Sequence, residues 1–211
     1  MTHHTHDKLV HEQNNSLDRL VFFSDGVFAI AITLLAVELH RPHGWDGTAA
    51  MLFREGGHML VAFALSFAVV GIFWNAHRRL FQNMTRFTTG IFILNLILLG
   101  GIALMPFATT LISTPPVGGE TFALYLGLVS LIGVVNGLIY GYAAFVVDVV
   151  RPRRHVLRHL SIMLMQMLMP AICCGLSLAF FSNAPFWILG LLIAALAGLV
   201  SVLIWSKRRF A

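Results

Sequence analysis

The residues that could do chemistry inside the apolar runs of this sequence are Asp25, Thr33, Asn75, His77, Asn95, Asn136 and Gln166. A carboxylate and an imidazole can exchange a proton, so Asp25 and His77 are a candidate acid–base or proton-relay pair. Hydrolysis or group transfer at membrane depth needs more: paired carboxylates, a Ser/His pair or a metal cluster. The scattered polar residues here supply none of these, and a structural polar cluster tying helices together competes with any catalytic reading. The two cysteines, Cys173 and Cys174, are adjacent within an apolar run, which supports neither a disulfide framework nor a CxxC metal or redox site. They read as packing residues, and no bound cofactor or metal is expected.

Composition decides what must position those groups. Of the 211 residues, 58% are hydrophobic and 11% charged, with a mean hydropathy of +0.83. A soluble domain carries about 25% charged residues, so this is an integral membrane protein. In lipid, backbone polar groups must be satisfied within the spanning structure, and the long continuous apolar runs exclude the alternation of a barrel. The fold class is an all-α membrane protein. The net charge of +5 is concentrated in short segments between apolar runs, a pattern of membrane topology rather than of a nucleic-acid partner.

Six transmembrane helices are expected, at about 18–39, 49–80, 86–113, 120–149, 156–181 and 185–205. Residues 1–16 lack apolar periodicity and hold four histidines, which predicts a disordered cytoplasmic N-terminal tail; Asn15 or Ser16 then offers an N-cap. No signal-peptide cleavage site is expected ahead of the first span. Residues 17–206 form one six-helix membrane domain, and 207–211 a basic cytoplasmic tail. Pro42, Gly44 and Gly47 close the first span, with Trp45 at headgroup level. Gly133, Gly137 and Gly141 form overlapping GxxxG spacing, a candidate close helix contact in the fourth. With the N-terminus inside, Lys8, Arg19, Arg78, Arg79, Arg86, Arg151, Arg153, Arg154, Arg158, Lys207, Arg208 and Arg209 are cytoplasmic, twelve of the fourteen basic residues. Only Arg41 and Arg54 fall outside, so both termini are expected on the cytoplasmic side.

The first span, RLVFFSDGVFAIAITLLAVEL over 19–39, carries a charged foot and an oily body. A charge at a helix centre costs about 2.5–3.5 kcal/mol, less near an interface, so Asp25 must face protein or water. Arg19 lies six residues from Asp25, too far for an i, i+4 pair, so each is expected to find its partner on another helix. Helical spacing places Ile30, Thr33, Leu34 and Val37 on one face. Such an apolar stripe serves packing or lipid contact; it can also line a pore that is gated by dewetting. No TVGYG-type filter is present, since IYGYAAF at 139–145 lies inside a span, and there is no arginine-rich voltage sensor.

Arg19 followed by Phe23, Ser24 and Asp25 resembles the RxxxFSD signature of the transmembrane protein 175 family of potassium channels, as does the surrounding FSDGVFAIAITLL. The FWNAH run at 73–77 and the stretch from Asn95 to Phe107 with its MPF extend the similarity, as does a length matching a bacterial six-span member. The resemblance implies a homotetramer in the bacterial plasma membrane in which the first helix of each subunit lines a central path for potassium. Ile30 would be the constriction, with Thr33, Leu34 and Val37 continuing the pore face. Arg19, Phe23, Ser24 and Asp25 would anchor that helix, with Trp74, His77 and Asn95 as partners. The competing readings are a proton-coupled or secondary transporter using Asp25 and His77, and an enzyme or accessory subunit with no transport of its own. The transporter suffers from sparse midplane polar groups and from a first helix without a Gly/Pro interruption.

Overall fold

The computed structural model describes residues 2–41, 44–114 and 118–151, together with helical positions 168, 170, 172, 173 and 175–177. Among the described residues five α-helices follow in order: α1 (Thr2–Val37), α2 (Ala49–Phe81), α3 (Thr89–Ala103), α4 (Met105–Ser113) and α5 (Gly119–Gly141). A π-helical turn, Tyr142–Val146, continues α5. Four of the described stretches are long and apolar enough to cross a membrane: Asn15–Val37, Ala49–Phe81, Thr89–Ser113 and Gly119–Val146. They correspond to the first four expected spans. The fifth is described only at the positions named above, and the sixth lies outside the described residues, as do Gln166 and the basic tail.

The N-terminal segment departs from expectation. Where a disordered tail and an N-cap at Asn15 or Ser16 were expected, α1 is helical from Thr2 onward and passes through both residues. Residues 2–16 contain neither glycine nor proline. Once a helix exists, each added residue gains a hydrogen bond without a new nucleation cost, so a polar segment can continue it. At about 1.5 Å per residue the 36-residue α1 is about 54 Å long, well beyond the ~30 Å hydrocarbon layer.

Proline chemistry splits the third span. Thr88 caps α3 by accepting from the Ile91 amide at 3.3 Å. The helix breaks at Leu104, and Pro106 enters the first turn of α4. Proline there lacks the N–H that would reach back one turn. The Leu104 amide is shared between the Gly100 and Gly101 carbonyls, both at 3.2 Å. The fourth span ends earlier than expected. After the π turn the chain swings round at Asp148 (φ 47°), and Val150 makes a single antiparallel bridge to Met84. The Thr85 amide donates to the Val149 carbonyl at 2.9 Å and that of Arg151 to the Asn83 carbonyl at 2.7 Å. The loop after α2 is thereby tied to the segment after α5, which sets Arg78, Arg79, Arg86 and Arg151 at the same end of the bundle.

At the opposite end, α2 begins in a hydrogen-bonded turn. Thr48 caps it by accepting from the Met51 amide at 3.3 Å. Asp46 in turn accepts from the Thr48 hydroxyl at 2.6 Å and from its amide at 2.9 Å. A short polar residue in this position satisfies amides that the first helical turn leaves open. The hydroxyl contact is the main reason the Asp46 carboxyl sits below its ordinary value. Trp45 donates its indole N–H to the Thr48 carbonyl at 2.9 Å.

The core lies where α3, α4 and α5 meet α1 and α2, around Phe28, Leu35, Val70, Ile91, Leu98, Ile102, Met105, Ile132 and Ile139. Cys173 is buried within it, as expected of a packing residue. The glycine spacing of the fourth span has a physical counterpart at Gly133, where a Cβ would lie 2.6 Å from Cγ of Pro170 and 3.0 Å from its Cβ and Cδ. A proline ring has little freedom to yield. Gly133→Ala is therefore expected to destabilise the protein by about 1–3 kcal/mol, the usual penalty of overpacking. Unfolding of the purified protein in a mixed-detergent titration measures this, and a wild-type midpoint would contradict it.

Candidate functional site

The site is built on α1, whose two faces have different tasks. Leu17, Leu20, Ser24, Phe28, Ala31 and Leu35 recur at three- and four-residue intervals and are buried against the other helices. The opposite side is uncovered in the single chain: Ile30 is 60% exposed, Leu34 44% and Val37 67%, with Thr33 between them. The four residues expected to share a face do so, and that face stands clear of the rest of the described subunit. The Thr33 hydroxyl donates to the Ile30 carbonyl at 2.8 Å. Its proton is committed to the helix, so the oxygen has only lone pairs left to offer outward.

The foot of α1 is held by a chain of hydrogen bonds that crosses three helices. His77 on α2 meets Asn95 on α3 at 2.8 Å through Nε2, Asn95 donates its amide to Ser24 Oγ at 2.9 Å, and Ser24 donates to the Leu20 carbonyl at 2.8 Å. The order of bonds fixes the protons. Because the Asn95 amide nitrogen faces Ser24, its Oδ1 must accept, so Nε2 of His77 carries the hydrogen. Nδ1 is buried with no hydrogen-bond partner among the described residues, and the ring is stacked on Phe81, with centroids 4.3 Å apart, and tilted against Phe28 at 5.5 Å. Ser24, His77 and Asn95 are all completely buried.

Asp25 is fastened separately. The Trp74 indole donates to its Oδ1 at 2.8 Å. The Arg78 guanidinium lies 5.7 Å from the Trp74 ring centroid, close enough for a cation–π contact. Asp25 and His77 thus hold different partners, and the structure does not join them as an acid–base pair. Arg19 overturns another expectation, since it makes no hydrogen bond or ion pair among the described residues. Ser24 and Asn95 engage each other, Trp74 holds the Asp25 carboxylate, and at ~100° per residue Arg19 and Asp25 point about 120° apart around the helix. Arg19 and Phe23 instead border a groove between α1 and the start of α3.

A hydrogen bond to a charged group is worth about 1.5–3 kcal/mol when buried, and the exposure of Asp25 lowers that toward ~1 kcal/mol. Asp25→Ala is accordingly expected to reduce the yield of assembled protein more than it changes ion preference, and Trp74→Phe to reproduce the loss. A variant that assembles normally but alters its potassium preference would contradict this. Sequence reasoning missed a second buried polar cluster, in which the hydroxyls of Thr109 on α4 and Ser66 on α2 meet at 2.7 Å and Ser66 meets the Tyr125 hydroxyl of α5 at 3.1 Å. Only the hydroxyls themselves signalled it, and hydroxyls in membrane helices commonly bond their own backbone, as Thr109 also does to Met105.

Comparison with known proteins converges on one family. A family model described as "Endosomal/lysosomal potassium channel TMEM175" matches residues 19–106, the segment that carries α1 from Arg19 onward, α2, α3 and every partner in the anchor. A Chryseobacterium sp. (strain P1-3) protein named a potassium channel is 40% identical over 114 residues, 53% of this chain and 57% of that one. The chain thus spans little more than half the length of that relative. A Chamaesiphon minutus protein, also named a potassium channel, is 32% identical over 139 residues, covering 63% of this chain and 68% of its own. The crystal structure of a lysosomal potassium-selective channel TMEM175 homologue from Chamaesiphon minutus superposes with a TM-score of 0.66 at 25% identity, over 93% of this chain and 100% of that one. With that shared fold, and an anchor whose members all fall inside the matched segment, this multi-pass membrane protein belongs to the TMEM175 family.

Proposed function

We propose that the chain is one subunit of a potassium-conducting channel, with the uncovered face of α1 lining the ion path and Ile30 forming its constriction. The observation that carries this reading is the two-sidedness of α1. A spanning helix held firmly along one side, while its other side presents Ile30, Thr33, Leu34 and Val37, suits a position between copies of the subunit around an axis. A closed ring of subunits follows, and four is the number that the resemblance of the first span implies. The committed proton of Thr33 favours cations, because its oxygen meets the path with lone pairs only.

Discrimination between potassium and sodium should be weak to moderate. An apolar ring has no carbonyls or charges to replace a hydration shell, in contrast to a filter built from backbone oxygens. The basic ends support an orientation: Arg19, Arg78, Arg79, Arg86 and Arg151 gather at one end and Arg41 and Arg54 at the other, a distribution that favours the first end on the cytoplasmic side. The transporter reading gains nothing from the geometry, since Asp25 and His77 are each engaged elsewhere. The test is a flux assay in liposomes holding a potassium gradient, run with and without a protonophore and at several sodium ratios. Potassium flux that persists when protons are equilibrated supports conduction; strict dependence on a proton gradient, or no flux at all, would sink it.

A further inference from the structure

The groove beside Arg19 has a use that neither the anchor nor the ion path accounts for. It measures about 370 Å³, opens between α1 and the start of α3, and is lined by Ser16, Arg19, Leu20, Phe23, Phe87 and Phe92. One cation stands over a wall of aromatic and aliphatic side chains, with Phe87 and Phe92 tilted against each other at 6.1 Å. Arg19 has neither a hydrogen bond nor an ion pair among the described residues, and its sequence neighbour Asp18 does not pair with it. The groove also lies at the end of the bundle where Arg78, Arg79, Arg86 and Arg151 collect, so an anion arriving there meets a favourable field.

We propose that this groove seats one anionic phospholipid. The Arg19 guanidinium offers paired N–H donors that match phosphate oxygens, and Leu20, Phe23, Phe87 and Phe92 receive the upper acyl chain. Three considerations favour a lipid over other occupants. The groove is at the level where α1 leaves its apolar span, which begins at Asn15. Its lining is amphipathic as a lipid is, pairing the Arg19 cation with Leu20, Phe23, Phe87 and Phe92. A basic pocket between helices on the basic side of a membrane protein meets anionic headgroups continually and without diffusion from solution.

The experiment uses the whole purified chain in detergent, offered phosphatidylglycerol or phosphatidylcholine of identical acyl composition, with retained lipid counted by native mass spectrometry. Wild type is expected to retain phosphatidylglycerol preferentially. Arg19→Gln should lower that retention roughly fivefold, the effect of about one basic residue on anionic lipid. Phe87→Glu, which adds a negative charge to the groove while keeping Arg19, should lower it as well, and Arg79→Gln, an exposed change at the same end, should leave most of it in place. Equal retention of the two headgroups, or equal loss from Arg79→Gln, would reduce the effect to general surface charge and overturn the proposal. Separation of the subunits by Arg19→Gln without lipid loss would assign the groove to a contact between copies and overturn it too. Because the readout is lipid mass and not ion flux, a failure here is distinguishable from a failure of the channel reading.

Discussion

Ile30→Asn is expected to carry potassium about tenfold faster than wild type in the liposome flux assay, a barrier lowered by ~1.4 kcal/mol. The proposed constriction is a ring of branched apolar side chains, one from each subunit, and a narrow apolar neck excludes water as well as ions. Asparagine has nearly the same reach and carries an amide that can hold water in the neck. Ile30→Leu separates wetting from shape, because it alters the branching while keeping the surface apolar; its flux should remain near wild type. Unchanged flux in Ile30→Asn, with the protein assembled, would remove Ile30 from the constriction. Faster flux in both variants would mean that size and not wetting governs the neck.

The second large effect concerns stability. Asn95→Ala is expected to lower the unfolding free energy by roughly 2–3 kcal/mol, since it deletes two side-chain bonds and leaves the His77 Nε2–H buried without an acceptor. Bonds between membrane helices average only about 0.6 kcal/mol each, so most of the loss comes from the stranded donor and the space vacated. Asn95→Leu restores the volume but not the bonds, and should recover part of the loss. Unfolding in a mixed-detergent titration reads both variants. If Asn95→Ala unfolds like wild type, the chain of bonds from His77 to Leu20 contributes nothing to holding α1 in place.

What could be read from the residues alone follows a physical division. Apolar run length located the first four spans because lipid leaves a segment little choice but to be helical. The break at Leu104 was not expected, because 86–113 read as one helix; a proline such as Pro106 inside a membrane span can bend a helix or end it, and neighbouring side chains decide which. Ser24, Trp74, His77 and Asn95 were legible as anchor residues from their types and the motif around them. Which of them bonds which was not, because that depends on how α1, α2 and α3 rotate about their own axes. Arg19 shows the same limit: its charge called for a partner, and the rotation of α1 turned it toward Phe87 and Phe92. The continuation of α1 to Thr2 was hidden for a different reason, since composition reports what a segment can bury and not whether it extends a helix already formed.

The separation in sequence between the partners of the anchor also sets a schedule for biosynthesis. Trp74 follows Asp25 by 49 residues and Asn95 follows Ser24 by 71. At a synthesis rate of about 5–20 residues per second, α1 waits roughly 2–10 s for the indole and roughly 4–14 s for the amide. Until then its carboxylate lacks the Trp74 indole, and resting at membrane depth without it costs free energy. The first helix is therefore expected to settle fully only when the third has been made and Asn95 can meet Ser24.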